Sequence, residues 1–311
     1  MSEGILVPNA NLVGYASAIQ AACPEIDIQS LSPINEGWSS FVFVARTVQS
    51  NQEWIFRFPR RPEIVKSLEM EIALLPYLAR ALPVSVPQFE IIVPGQDGRP
   101  GFAGYPKILG SALDSFLADH PEVQPNLAQQ IGEILSALHQ TTLPWVVHRL
   151  LPRRTVLDWK RSYLDLYQKV RQQVYPMLDA SRQGAATALW EGFLRQRDHF
   201  RFEVALIHGD LGAEHILCDP VCNRVTGILD WEDACTGDPT LDFVGLLQSG
   251  GEGFVRQVLA AYRGKPGANF WARVNFYTKI IPFYEILFGL ETSDLLRTQA
   301  GLLRLQGILD D

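Results

Sequence analysis

The sequence predicts an α+β protein of two lobes, an N-terminal antiparallel β-sheet lobe with one main helix and a larger, mostly helical C-terminal lobe. Three observations carry this expectation. The chain has 311 residues, 47% of them hydrophobic and 10% aromatic, enough to fill more than one core. Short apolar runs bounded by polar turns dominate residues 28 to 110. From Ser111 onward, apolar residues recur instead at spacings of three and four. This change of texture puts the boundary between 104 and 112, with lobes expected at 1–108 and 109–311.

In chain order, "FVFVAR" (Phe41 to Arg46) and "EWIFRFP" (Glu53 to Pro59) read as strands, and the polar "TVQSNQ" between them as the turn of a hairpin. "EIVKSLEMEIALLPYLARAL" places Val65, Leu68, Ile72, Leu75 and Leu78 at helical spacing. "PVSVPQFEIIVPG" returns to strand texture between prolines. Helices follow over 127–140, 155–175 and 184–200. Short β texture resumes at "ALIHGDL", "HILCD" and "VTGILDWED", and helices fill the remainder, including the aromatic-rich stretch Ala268 to Leu290.

Composition narrows the function classes. A formal net charge of −7, with 27 basic against 34 acidic residues, leaves no electrostatic footprint for nucleic acid. Cys23, Cys218, Cys222 and Cys235 lack paired CxxC spacing, so neither a zinc site nor a disulfide framework is expected, and a reducing cytoplasm suits them. The start "MSEGILVPNANLVGY" has no basic segment leading into an apolar run, and no apolar stretch approaches the roughly 18 residues that span a bilayer. A cytoplasmic protein with no membrane partner, acting as a monomer, is the expectation.

The chemistry concentrates in "LIHGDLGAEHILCD". A strand ending in His208-Gly209-Asp210 would present the Asp210 carboxylate into a cleft, where it can orient a substrate hydroxyl and accept its proton. His215 follows five residues later, and Asp230 ends another apolar run in "GILDW". Together they would hold Mg²⁺, Asp230 through oxygen and His215 through nitrogen, although imidazole is a less usual magnesium ligand. As single residues each also fits a turn former or a hydrogen-bonded core histidine.

The run "HGDLGAEHIL…GILDWEDACTGDPTLDF" resembles the catalytic signature of the aminoglycoside phosphotransferase superfamily, which shares the protein-kinase fold. The resemblance implies a bilobal kinase-like fold, Asp210 as catalytic base, and His215 and Asp230 as metal ligands. Histidine rather than asparagine at 215 is similar to two branches, the macrolide 2′-phosphotransferases and the aminoglycoside 2″-phosphotransferases. It implies ATP or GTP as phosphoryl donor, Mg²⁺ as cofactor, and a small-molecule antibiotic, aminoglycoside or macrolide, as acceptor. An ordinary metabolite as acceptor, or a non-catalytic nucleotide-binding protein, are the competing readings.

The N-terminal lobe offers the parts a nucleotide needs. "INEGWSSFVFVA" sits where a phosphate-covering loop belongs, with Gly37 allowing close backbone approach and Ser39 and Ser40 offering donors. The next strand carries Arg57 where the kinase pattern has lysine, a departure that leaves the charge but changes the geometry. Its helix partner is expected to be Glu71, which directly precedes the apolar run, rather than Glu69. "FAGYPKILG" resembles the hinge of the aminoglycoside 2″ branch, with backbone groups of Tyr105, Lys107 and Ile108 expected on the purine edge. Asp238 and Asp242 are read as structural, one tying down a turn and the other bracing the catalytic loop. Glu232 and Asp233 face either the substrate or solvent, and His139 packs or caps a helix end.

Overall fold

The computed structural model describes residues 9–34, 39–95, 98–119, 124–219 and 221–310. It comprises two compact units: one of Met1–Gly110, Leu143–Leu150 and Thr226–Glu232, the other of Ser111–Thr142, Leu151–Val225 and Asp233–Asp311. Among the described residues no helix is long and apolar enough to cross a membrane.

The first unit is built on a five-stranded antiparallel sheet. Its strands are β1 (Ile26–Ile34), β2 (Ser40–Thr47), β3 (Glu53–Pro59), β4 (Ile91–Pro94) and β5 (Pro100–Pro106), in the spatial order β1-β2-β3-β5-β4. The expected hairpin is β2–β3, registered from Ser40 opposite Pro59 to Arg46 opposite Glu53. Its turn closes with Asn51 in the left-handed region and the Thr47 N–H donated to the Gln52 carbonyl. The β1–β2 register shifts between Asp27 and Ser32, and there Ser30 Oγ accepts the Arg46 N–H that the ladder leaves over.

Alternation in β3 decides which side chain meets which helix. Phe56 and Phe58 join Phe43, Ala45 and Phe102 in a core capped by Ile19 of helix α1 (Asn9–Ala22) and by Cys23, the residue after it. Ile55 and Arg57 must point to the opposite face, where helix α2 (Pro62–Ala81) lies. Helix α2 starts with Pro62, whose fixed φ suits the first turn, and buries Leu68, Glu71, Leu75 and Leu78 along one stripe. The helix α1 has no counterpart in the sequence expectation: "NANLVGYASAIQAA" is apolar without a clear polar face, so it carries no amphipathic signature. Of the stretch expected as strand texture after α2, only Ile91–Pro94 forms one. The short helix α5 (Trp145–His148) also belongs to this unit.

The second unit is mainly helical, with α3 (Leu113–Asp119), α4 (Gln124–Gln140), α6 (Val156–Gln173), α7 (Ala180–Arg195), α8 (Val244–Ala261), α9 (Phe270–Thr292) and α10 (Leu295–Asp310). Thr155 opens α6 with a capping box, its side chain and that of Asp158 each accepting the other's backbone N–H. The aromatic-rich α9 is core: Phe276 stacks on Phe193 of α7, and Tyr277 stacks on Tyr163 of α6. Two small β patches interrupt the helices. Strand β6 (Ser111–Ala112) pairs with β8 (Ile216–Asp219), and β7 (Ala205–Ile207) pairs with β10 (Cys235–Gly237). Strand β9 (Arg224–Ile228) starts in the second unit and delivers the chain to the first.

Candidate active site

In the second unit, β7 ends at Ile207 and the chain turns through His208, Gly209 and Asp210. Gly209 has φ 90°, and a Cβ there would lie 2.3 Å from the Asp233 carbonyl oxygen, so only glycine makes this turn. Asp242, fully buried, pins it: Oδ2 accepts the His208 N–H at 2.9 Å and Oδ1 the Gly209 N–H at 3.0 Å. His139 reaches the same Oδ2 through Nε2 at 3.0 Å. A carboxylate only accepts, so Nε2 is the protonated nitrogen and Nδ1 takes the Tyr262 hydroxyl, 2.7 Å away. Asp238 is also fully buried, paired with Arg273 at 2.8 Å and accepting the Tyr277 hydroxyl. Burial raises its pKa, against the pull of Arg273.

This buried scaffold leaves Asp210 exposed at the end of the turn. His215, half-buried, donates Nδ1–H to the Asp210 carbonyl at 2.9 Å. That bond fixes the tautomer and makes Nε2 the nitrogen His215 can offer to a ligand.

The first unit gathers a second group. Arg57 of β3 is 7% exposed, and its Nη1 donates to Glu71 Oε2 at 2.8 Å. Its Nη2 donates to Glu232 Oε2 at 3.1 Å and lies 3.9 Å from Asp230 Oδ1. Burial works against the guanidinium charge, but Glu71, Asp230, Tyr105 and Glu232 hold it protonated, with a pKa above the ordinary guanidinium value. Burial pushes Glu71 up to about 7, opposed by Arg57 and reinforced by Asp230 and Glu232. Glu69 faces elsewhere, making a two-pronged pair with Arg99 at 2.7 and 3.0 Å. Asp230 adopts φ 62° and keeps a carboxylate 42% exposed, while the neighbouring Trp231 is fully buried and donates its indole N–H to the Ile228 carbonyl.

Of the remaining sequence-predicted residues, Tyr105 acts on the charge of Arg57. Ser39 and Ser40 are buried where β2 begins, and Gly37 lies outside the described residues. Tyr105 is buried in β5 opposite Ile55, and burial pushes its phenol up to about 12. Lys107 donates its backbone N–H to the Glu53 carbonyl at 2.9 Å and its Nζ to the Glu53 carboxylate at 2.6 Å. Ile108 packs on Gly227, where an added Cβ would sit 2.7 Å from Ile108 Cγ2. Two relationships had no signal in the sequence: the pairing of Arg57 with Glu232, 175 positions on, and that of His139 with Asp242.

The donor set fits a hard cation on the Arg57 side. Three carboxylates surround one guanidinium, and Glu71 Oε1 is buried with no hydrogen-bond partner, so the cluster carries excess negative charge. Among the described residues no three His, Cys, Asp or Glu side chains form a complete cage. Mg²⁺ needs none, being held by one or two carboxylates together with nucleotide phosphates and water.

Residues 30–277 match the phosphotransferase enzyme family, which the "HGDLGAEHIL" and "GILDWEDACTGDPTLDF" runs resemble. The chain belongs to that family. As a member of the phosphotransferase enzyme family, it is a kinase acting on hydroxyl groups. It is 30% identical to aminoglycoside 2'-phosphotransferase-IIIa, solved as a GDP complex, with a TM-score of 0.86 over 96% of this chain and 99% of the other. Macrolide 2'-phosphotransferase MphH from Brachybacterium faecium shares the fold at 22% identity, with a TM-score of 0.76 over 95% and 98%. Among sequence relatives, YcbJ of Bacillus subtilis (strain 168) is 28% identical over 78% of this chain and 77% of its own. Viomycin phosphotransferase of Streptomyces vinaceus is 30% identical over 50% and 52%. The kinase-like fold expected of this phosphotransferase is therefore the one observed.

Proposed function

We propose that this phosphotransferase moves the γ-phosphoryl group of a purine nucleoside triphosphate, ATP or GTP, onto a hydroxyl of an aminoglycoside. The observation that carries the reading is the exposed Asp210 carboxylate at the end of a turn whose backbone is locked by buried Asp242. Asp210 accepts the hydroxyl proton as the acceptor oxygen bonds to the γ-phosphorus and the bond from that phosphorus to the bridging oxygen breaks, releasing the nucleoside diphosphate. Residues 1–108 supply the nucleotide lobe, through Gly37, Ser39, Ser40 and backbone groups at Tyr105, Lys107 and Ile108. Residues 109–311 supply the catalytic and acceptor lobe.

Asp230 and the Nε2 of His215 are the residues that would hold Mg²⁺, which when bound supplies neutralising charge for the phosphate oxygens. Arg57, oriented by Glu71, takes the place of the kinase lysine toward the phosphates, and the observed 2.8 Å ion pair supports that substitution. The relative at 30% identity over nearly the whole chain favours an aminoglycoside, and the GDP in its structure supports a purine donor.

The test is nucleotide turnover by the purified protein, with ATP and with GTP, against aminoglycosides, macrolides, and simple sugars and amino alcohols. Stimulation by aminoglycosides is expected. Stimulation by macrolides or metabolites alone would overturn the acceptor class and keep the chemistry, and turnover with no acceptor in the panel would overturn both.

A further inference from the structure

We propose that Glu232 is a positioning residue: by holding one arm of Arg57 while Glu71 holds the other, it fixes the turn that presents the Asp230 carboxylate to a metal ion. This rests on the proposed role of Asp230.

The argument starts from the backbone. β9 ends at Ile228, and two residues later Asp230 enters the left-handed region at φ 62°, which is unfavourable for an L residue and least so for asparagine and aspartate. Such a turn persists only where its flanks are tied down. Trp231, which follows it, is buried and bonds back to the Ile228 carbonyl, tying the two sides of the turn together. Next to it, Glu232 reaches Arg57 Nη2 at 3.1 Å, and Arg57 is in turn bonded to Glu71 of α2 at 2.8 Å. The turn is thus bolted to the sheet and to α2 through one guanidinium.

This arrangement also accounts for arginine at a position where the kinase pattern has lysine. The guanidinium presents Nη1 and Nη2 in a fixed plane, so Glu71 and Glu232 are served by different nitrogens with Asp230 3.9 Å away. An ammonium has a single nitrogen and would have to choose a position between them. With Glu232 engaged, Nη2 is drawn toward Glu232 and Asp230 stays beyond hydrogen-bond distance, leaving its carboxylate 42% exposed for a ligand. Without Glu232, Arg57 would close on Asp230 and compete with the metal for it.

The experiment is a double-mutant cycle read by calorimetric titration of Mn²⁺, standing in for Mg²⁺, into protein saturated with GDP. The four proteins are the wild type, Glu232→Gln, Arg57→Lys and the double variant; the lysine keeps a cation beside buried Glu71, so folding is preserved. Glu232→Gln is expected to weaken Mn²⁺ binding on the order of tenfold, as loss of an outer partner of a metal ligand does. Arg57→Lys should weaken it comparably, and the double variant no further, because both changes break the same link. Unchanged binding in Glu232→Gln, or losses that multiply in the double variant, would overturn the positioning role while leaving Asp230 as ligand. A wild type that binds no Mn²⁺ in the presence of GDP would overturn the metal role of Asp230 and the positioning role together. In turnover assays Glu232→Gln should raise the Mg²⁺ concentration for half-maximal rate by a similar factor, with the aminoglycoside KM little changed; a raised acceptor KM instead would place Glu232 on the acceptor.

Discussion

Asp242 accepts the backbone N–H of Gly209 at 3.0 Å although the two residues are 33 positions apart, and through the same carboxylate it also holds His208 and His139. A single buried side chain therefore sets the path of the turn that ends in Asp210. Asp242→Ala would leave two buried N–H groups and one imidazole N–H without an acceptor. Equilibrium urea unfolding should show a loss of about 3 kcal/mol or more. A loss under about 1 kcal/mol would mean that water or a neighbour replaces the carboxylate.

Asp210→Asn keeps the shape of the side chain and removes its ability to accept a proton. kcat should fall by at least about 10²-fold with nucleotide affinity and unfolding midpoint nearly unchanged. Near-normal turnover in this variant would remove Asp210 from the role of base.

Arg57→Ala would strand the fully buried Glu71, whose pKa is already raised to about 7 by burial. A destabilisation of about 3–5 kcal/mol is expected, much of it relieved by Arg57→Lys, which returns the charge but not the second arm. Glu71→Gln should cost less, since it removes a buried charge together with its partner's best acceptor. Thermal unfolding of the three variants ranks them; equal and small shifts would show that the pair contributes little.

Gly209→Ala introduces a methyl 2.3 Å from the Asp233 carbonyl oxygen at a positive φ. Turnover should drop sharply even where the protein still folds, because the turn must open by more than an ångström and carry Asp210 with it. Wild-type kcat in Gly209→Ala would contradict the observed path of the turn.

Of the four cysteines, Cys23, Cys218 and Cys235 are buried, and burial pushes the last two up to about 12 and about 11. Cys222 is exposed, and its hydrogen bond to Asp219 raises its pKa above the ordinary thiol value. A raised pKa means less thiolate at neutral pH, so a colorimetric thiol reagent should titrate one group slowly at pH 7 and faster as pH rises past 9. All four should react in denaturant. More than one accessible thiol in the native protein would contradict the packing around the other three.

Elements whose side chains alternate or repeat over a full helix were legible: the β2–β3 hairpin, α2, α4 and α6 fall where periodicity puts them. Helix α1 was not, because its apolar residues lack a polar face to mark the period. Asp238 could be read as structural because it caps the turn that follows it, whereas the partners of Asp242 lie 33 and 34 positions back in the chain, beyond any local spacing. Glu232 was ambiguous because its partner Arg57 lies on a strand much earlier in the chain, and no local spacing encodes that contact. The preference for Glu71 over Glu69 comes from the resemblance, which places the acid directly before the apolar run, and helix phase agrees with it. Both acids lie on one helix, so phase relative to the buried stripe of Leu68, Leu75 and Leu78 separates them, and Glu71 is the one that falls on it.

Residues 143–150 and 226–232 belong to the first unit while the stretches around them belong to the second, and this interleaving bears on how such a protein can evolve. No single breakpoint separates the two units as intact pieces of coding sequence. A cut after Gly110 would leave the first unit without the Ser85–Gly227 bridge and would strip Arg57 of Asp230 and Glu232. Recombination that exchanged one unit between relatives would therefore have to replace three separated segments at once, or else inherit mismatched partners for a buried guanidinium. Acceptor range in such a lineage would be expected to drift by point substitution and loop change rather than by exchange of whole units.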